Sequence, residues 1–128
     1  MYRALAGAVV LLLPLTAAAS ELTDALGKGA VQISGKDLAA IYENRTWAGK
    51  TAQGTEFSTK VSSDGTATLS FKGKDEAGKW RVAGDQGCAA YPNLRGGKEA
   101  CYAIVKMPDG SYAAYDANGA LNSTFAVK

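Results

Sequence analysis

Glu56-Phe57-Ser58-Thr59-Lys60-Val61-Ser62-Ser63-Asp64-Gly65-Thr66-Ala67-Thr68-Leu69-Ser70-Phe71 consists of two alternating runs around an Asp-Gly pair. Phe57, Thr59 and Val61 share one face of the first run. Ala67, Leu69 and Phe71 share one face of the second, with Thr66, Thr68 and Ser70 opposite. A period of two with one apolar side describes a half-buried strand, and Ser63-Asp64-Gly65 is a hairpin signal. The stretch therefore reads as an antiparallel pair that must bury one face against something else.

The same rhythm extends outward. Upstream, Thr46-Trp47-Ala48-Gly49 starts a strand and Gly54 marks a turn. Downstream, Gly73 to Gly78 reads as a charged turn, and Lys79 to Ala83 as a strand with Trp80 and Val82 facing the same way. Cys101 to Met107 and Ser111 to Asp116 are strands separated by Pro108-Asp109-Gly110. Ala117-Asn118-Gly119 turns the chain into Ala120 to Val127, which places Leu121, Phe125 and Val127 on one face. Turns spaced about eight to twelve residues apart are the rhythm of an all-β meander. Roughly seven to eight short strands with one apolar face curl to bury it, so the expected fold is mainly β, a small barrel or a sandwich.

One short helix precedes the strands. Ser34 with Asp37 forms an approximate capping box, and Leu38, Ile41 and Tyr42 lie on one helical face, predicting a helix from Lys36 to about Glu43. It is placed to plug a barrel end or cover an edge. Glu21 to Gln32 reads only as a short or frayed lead-in, because Gly27 and Gly29 weaken its Leu22-Leu26-Ala30 spacing.

Residues 1–19 read as a secretory signal: Arg3, an apolar run from Ala4 to Leu15, then Ala17-Ala18-Ala19. Cleavage is expected before Ser20, with a site one residue later fitting almost as well. The run is too short to span a membrane, which disfavours an uncleaved anchor. This divides the chain into a signal (1–19), a lead-in (20–33) and one β-rich domain (34–128) in the periplasm or outside the cell. Without Arg3, 13 basic residues face 12 acidic ones. So even a balance offers no footprint for nucleic acid or a charged membrane surface. The expected state is a monomer or small oligomer with no membrane span after cleavage.

Gly78 to Tyr102 holds the chain's two cysteines, Cys88 and Cys101. In an exported chain they are most simply one disulfide, clamping two strands. Between them, Tyr91-Pro92-Asn93-Leu94-Arg95-Gly96-Gly97-Lys98 is a basic, glycine-rich loop. Tyr and Arg are common interface anchors, making Tyr91, Pro92, Arg95 and Lys98 candidates for an interaction surface. The plainer reading is an ordinary long hairpin.

Gly78-x-Trp80-x-Val82, Cys88, Tyr91-Pro92, Cys101-Tyr102 and the Pro-Asp-Gly hairpin together resemble a family of small exported proteobacterial proteins grouped as a domain of unknown function. Ser34-Gly35-x-x-Leu38, Thr46-x-x-Gly49 and Asp64-Gly65 extend the likeness over most of the mature chain. The chain departs from it in ending Val127-Lys128 and in the charge around Gly73. The resemblance implies the fold and the compartment; it brings no activity and no catalytic residue.

Chemistry is constrained by what the chain lacks. It has no histidine, so a Ser-His or Cys-His nucleophile pair is excluded. Cys88 and Cys101 are too far apart for a Cys-x-x-Cys redox pair. Asp64, Asp109 and Asp116 sit in turn motifs, Asp75-Glu76 in a hydrophilic stretch, and none suggests a catalytic pair or a metal. No cofactor is expected. The leading expectation is a non-catalytic interaction module of the bacterial envelope, such as an inhibitor or accessory subunit bound to an envelope protein. The alternative is a carrier of a small ligand, with Trp47, Phe71 and Trp80 lining a barrel cavity. An envelope enzyme ranks behind both. A cavity lined by those rings separates the second reading from the first.

Overall fold

The computed structural model describes residues 20–128, so the signal reading of residues 1–19 lies outside the described residues. In chain order the elements are α1 (Glu21–Gly27), β1 (Val31–Gln32), α2 (Gly35–Tyr42), β2 (Arg45–Thr51), β3 (Glu56–Val61), β4 (Thr66–Phe71), β5 (Lys74–Ala83), β6 (Gln86–Ala90), a 3-10 turn (Arg95–Gly97), β7 (Ala100–Lys106), β8 (Tyr112–Tyr115) and β9 (Leu121–Val127). Strands β2 to β9 form an eight-stranded, closed antiparallel barrel, which settles barrel against sandwich. Each barrel strand pairs with its neighbours in sequence, and the seam where β9 returns to β2 completes the circle. Closure removes the free edges that an open sheet would expose.

Register puts the anticipated faces inward. Trp47 pairs with Thr59, Thr59 with Leu69, Phe57 with Phe71 and Val61 with Ala67. Trp80 lies opposite Ala89, and Val82 opposite Gly87. Leu38, Tyr42, Trp47, Val61, Ala67, Tyr91, Ile104, Ala114 and Phe125 make the interior cluster.

Two local expectations are corrected. Lys74 to Gly78 is strand, not turn: the hairpin needs only Lys72 and Gly73, whose φ values of 51° and 78° suit a tight two-residue turn. The charged composition misled because a strand rim at a barrel mouth is solvated. Leu121 does not share a face with Phe125. The β8–β9 ladder shifts register between Ala114 and Tyr115, so Leu121 pairs with Tyr115 and packs on the outer cluster. One extra residue in a ladder reverses the alternation beyond it.

The 20–33 stretch is more ordered than its glycines predict. Ser20 caps α1 by accepting the Thr23 amide at 3.1 Å, and Ala25 and Ala30 pack with Val105, Ala113 and Tyr115 on the outer wall of β7 and β8. Two residues of β1 pair with Val105 and Lys106, the part of β7 that β6 leaves free. Tertiary packing here overrides weak propensity. Helix α2 starts one residue before the expected position, capped by Ser34.

Candidate functional site

The two barrel ends are finished differently. Helix α2 touches β2, β5 and β6 at the end where β2 begins. There Leu38 is fully buried and Tyr42 is 9% exposed, so the helix is a stopper. The opposite end carries the β4–β5 and β8–β9 turns and the Tyr91–Lys98 loop. Between the ends lies a cavity of about 250 Å³.

Its floor is a run of stacked rings. Tyr42 lies between Trp47 (centroids 3.9 Å apart) and Trp80 (4.7 Å); Trp47 stacks in turn on Phe125 (4.4 Å), and Phe125 on Tyr112 (5.8 Å). Both indole N–H groups donate to main-chain carbonyls, Trp47 to Ile41 at 3.3 Å and Trp80 to Ser62 at 2.7 Å. With those donors satisfied, the rings are fixed and offer the cavity apolar surface. Trp47, Phe71 and Trp80, the candidate ligand-lining residues, all border it, joined by Phe57, Leu69, Tyr102 and Ile104.

Small side chains make the room. Ala67, Ala89 and Ala114 line the chamber where bulkier residues would fill it. Gly78 and Gly87 work by close approach: a Cβ on Gly78 would overlap the Tyr91 ring, and one on Gly87 would overlap the Tyr42 hydroxyl. Each glycine lets a tyrosine lie flat against a strand.

The candidate interaction loop does not stand away from the barrel. Tyr91, expected as an exposed anchor, is 6% exposed and turned into the cavity; Pro92, Arg95 and Lys98 are exposed. The Asn93 amide donates to Glu76 Oε2 at 2.6 Å, tying the loop to β5. Arg95, Gly96 and Gly97 all have positive φ, folding the segment tightly so that Leu94 and Arg95 border the chamber. The loop is a cover over the mouth. Leu69, Phe71 and Leu94 also border a neighbouring groove whose rim carries Lys72, Lys74, Asp75 and Glu76.

Polar groups in the lining are few: Thr51, Thr59, Asn122, Ser123 and Arg95, besides the tyrosine hydroxyls. Ser123 is 5% exposed and accepts the Asn122 amide at 3.2 Å. Sequence reading missed Ser123 and Asn122 because only the β9 irregularity sets which way that segment faces. It missed Leu94 and Ala89 because neither carries a chemical signature. Tyr42 was legible as part of the apolar helix face.

Burial raises the Tyr42 phenol well above its ordinary value of 10.0. It also raises Tyr91, partly offset by Thr59 against its hydroxyl. The unfolded chain ionises its tyrosines near pH 10, while the native chain keeps these protonated. The native state then binds more protons, and stability falls as pH rises. Thermal melts should be flat from about pH 7 to 9 and drop beyond about pH 10. A melting temperature unchanged to pH 12 would contradict the burial of these hydroxyls.

Cys88 and Cys101 are disulfide-bonded and directly opposed in the β6–β7 ladder. They share the outer face with Arg81, which makes a two-pronged contact to Glu99 at 2.6 and 2.7 Å. That exposed ion pair contributes little. Cys88, Glu99 and Cys101 cluster, but both sulfurs are spent in the bond, leaving no thiolate set for a metal. Besides Glu99, held low by its bonds to Arg81, the acidic groups shifted downward occupy turns: Asp64 accepts from Thr66 and Asp109 from Ser111, each through amide and hydroxyl. No helix among the described residues is long and apolar enough to cross a membrane.

Neither a protein-family model, nor a curated protein, nor a solved structure matches the chain.

Proposed function

We propose that this protein is a non-catalytic carrier of a small, largely apolar ligand held inside its barrel. The observation that carries the reading is the 250 Å³ cavity with Trp47, Trp80, Phe71 and Tyr42 in its walls. Eight strands enclose just enough space for one small ligand. A dry cavity of about 150 Å³ accepts benzene, so this volume suits one or two rings. It is too small for a drug-sized molecule of the usual kind.

The interaction-module reading moves behind this one, because its aromatic anchor, Tyr91, is turned inward. The disulfide fits an oxidising compartment. With the motif likeness to small exported proteobacterial proteins, it supports a carrier working in the periplasm or outside the cell.

The test is thermal. Naphthamide, neutral and two-ringed, should raise the melting temperature in a concentration-dependent way, by roughly 10 °C at a hundred times its dissociation constant. No rise at the solubility limit would remove the carrier reading.

A further inference from the structure

Two donors in the chamber wall, the exposed Arg95 and the buried Ser123, have no protein acceptor among the described residues. Arg95 makes no ion pair or side-chain hydrogen bond among the described residues, although its loop places it at the cavity rather than beyond it. Ser123 is buried and accepts from Asn122, but its own hydroxyl hydrogen finds no acceptor among the described residues. Arg95 is open to solvent and Ser123 already has one partner, so neither demands a ligand; both keep donors free for one that enters the chamber. Among the described residues, Arg95 is also the one full charge in the lining; the rest is aromatic, aliphatic or neutral.

Both donors stand toward the same end. Ser123 lies near the start of β9 and Arg95 in the loop between β6 and β7, at the mouth opposite α2. What they share is a donor to spare, and a guanidinium is best matched by a planar anion. We propose that the ligand is an amphipathic anion: a one- or two-ring apolar body on the aromatic floor, with a carboxylate at the mouth against Arg95 and Ser123.

The acids near the mouth are already engaged elsewhere. Glu76 and Asp75 lie on the rim of the neighbouring groove, not in the chamber lining. Glu76 already accepts from the Asn93 amide, and Asp75 accepts from the Ser70 hydroxyl at 2.6 Å. Lys72 and Lys74 on the same rim oppose them. At the Tyr91 hydroxyl the negative charge of Glu76 is felt together with the positive charge of Arg95, and somewhat more strongly.

The inference rests on the carrier reading, and a matched pair of ligands separates the two. Naphthoate and naphthamide share one apolar body and differ in charge. In calorimetric titrations of the mature chain, naphthoate should bind about tenfold or more tightly than naphthamide. Arg95→Gln should bring naphthoate down to the level of naphthamide, and raised salt should narrow the gap in the wild type. Equal binding of the two, unaltered by Arg95→Gln, would overturn the anionic head while leaving the carrier reading standing. Failure of both ligands to bind would overturn the two together.

Discussion

Ala89→Phe should abolish ligand binding while leaving the barrel folded. Ala89 lies opposite Trp80 in the β5–β6 ladder and borders the cavity. A benzyl group there would project toward Trp80 and Tyr102 and fill the space a ligand ring needs. Overpacking usually costs about 1–3 kcal/mol because a dense core has nowhere to put added atoms. Here the atoms enter a void, so the cost should be smaller and the new contacts can offset it. The expected result is a melting temperature within a few degrees of wild type and an affinity for naphthamide at least tenfold weaker. Full affinity in a folded Ala89→Phe protein would place the ligand somewhere other than the chamber.

The disulfide should matter as much to stability as the cavity does to binding. Cys88 and Cys101 are 13 residues apart, and closing a loop of that length is worth about 3 kcal/mol in the chain-entropy model. For a domain that is marginally stable overall, this is a large share. Replacing both cysteines by alanine should lower the melting temperature by roughly 15 °C, with far-ultraviolet circular dichroism unchanged at room temperature. The bond joins β6 to β7 on the outer face, below the cover loop, and takes no part in the chamber lining. Naphthamide should therefore still bind to the reduced protein at low temperature. A melting temperature within about 3 °C of wild type would mean that the ladder and the β2–β9 seam hold the loop base unaided.

Much of this architecture was legible because it is local. The inward sets Phe57-Thr59-Val61 and Ala67-Leu69-Phe71 follow from a period of two, and the Asp64-Gly65 and Asp109-Gly110 turns carry their own chemistry. What escaped is set by contacts distant in sequence. The β2–β9 seam joins residues near 47 to residues near 127, and no pattern within either strand announces it. The cavity is a property of absent atoms: Ala67, Ala89, Ala114, Gly78 and Gly87 each look unremarkable alone, and only their convergence inside a closed sheet leaves space. Tyr91 looked like an exposed anchor because its neighbours Pro92, Arg95 and Lys98 are solvated, but β6 continues its alternation into the loop and turns the ring inward. Trp47 and Trp80 raised the question of core or cavity wall, and in the barrel they belong to both.

The central claim is that the aromatic chamber is a ligand site, and the two indole N–H groups report on it directly. Each is fixed to a backbone carbonyl while its ring borders the cavity. In proton–nitrogen correlation spectra of residues 20–128 titrated with naphthamide, both indole signals should shift in parallel to a common saturation point, with ring-current changes far larger than at surface amides. Indole signals that stay fixed while the ligand is in excess, or shifts confined to surface residues, would contradict it.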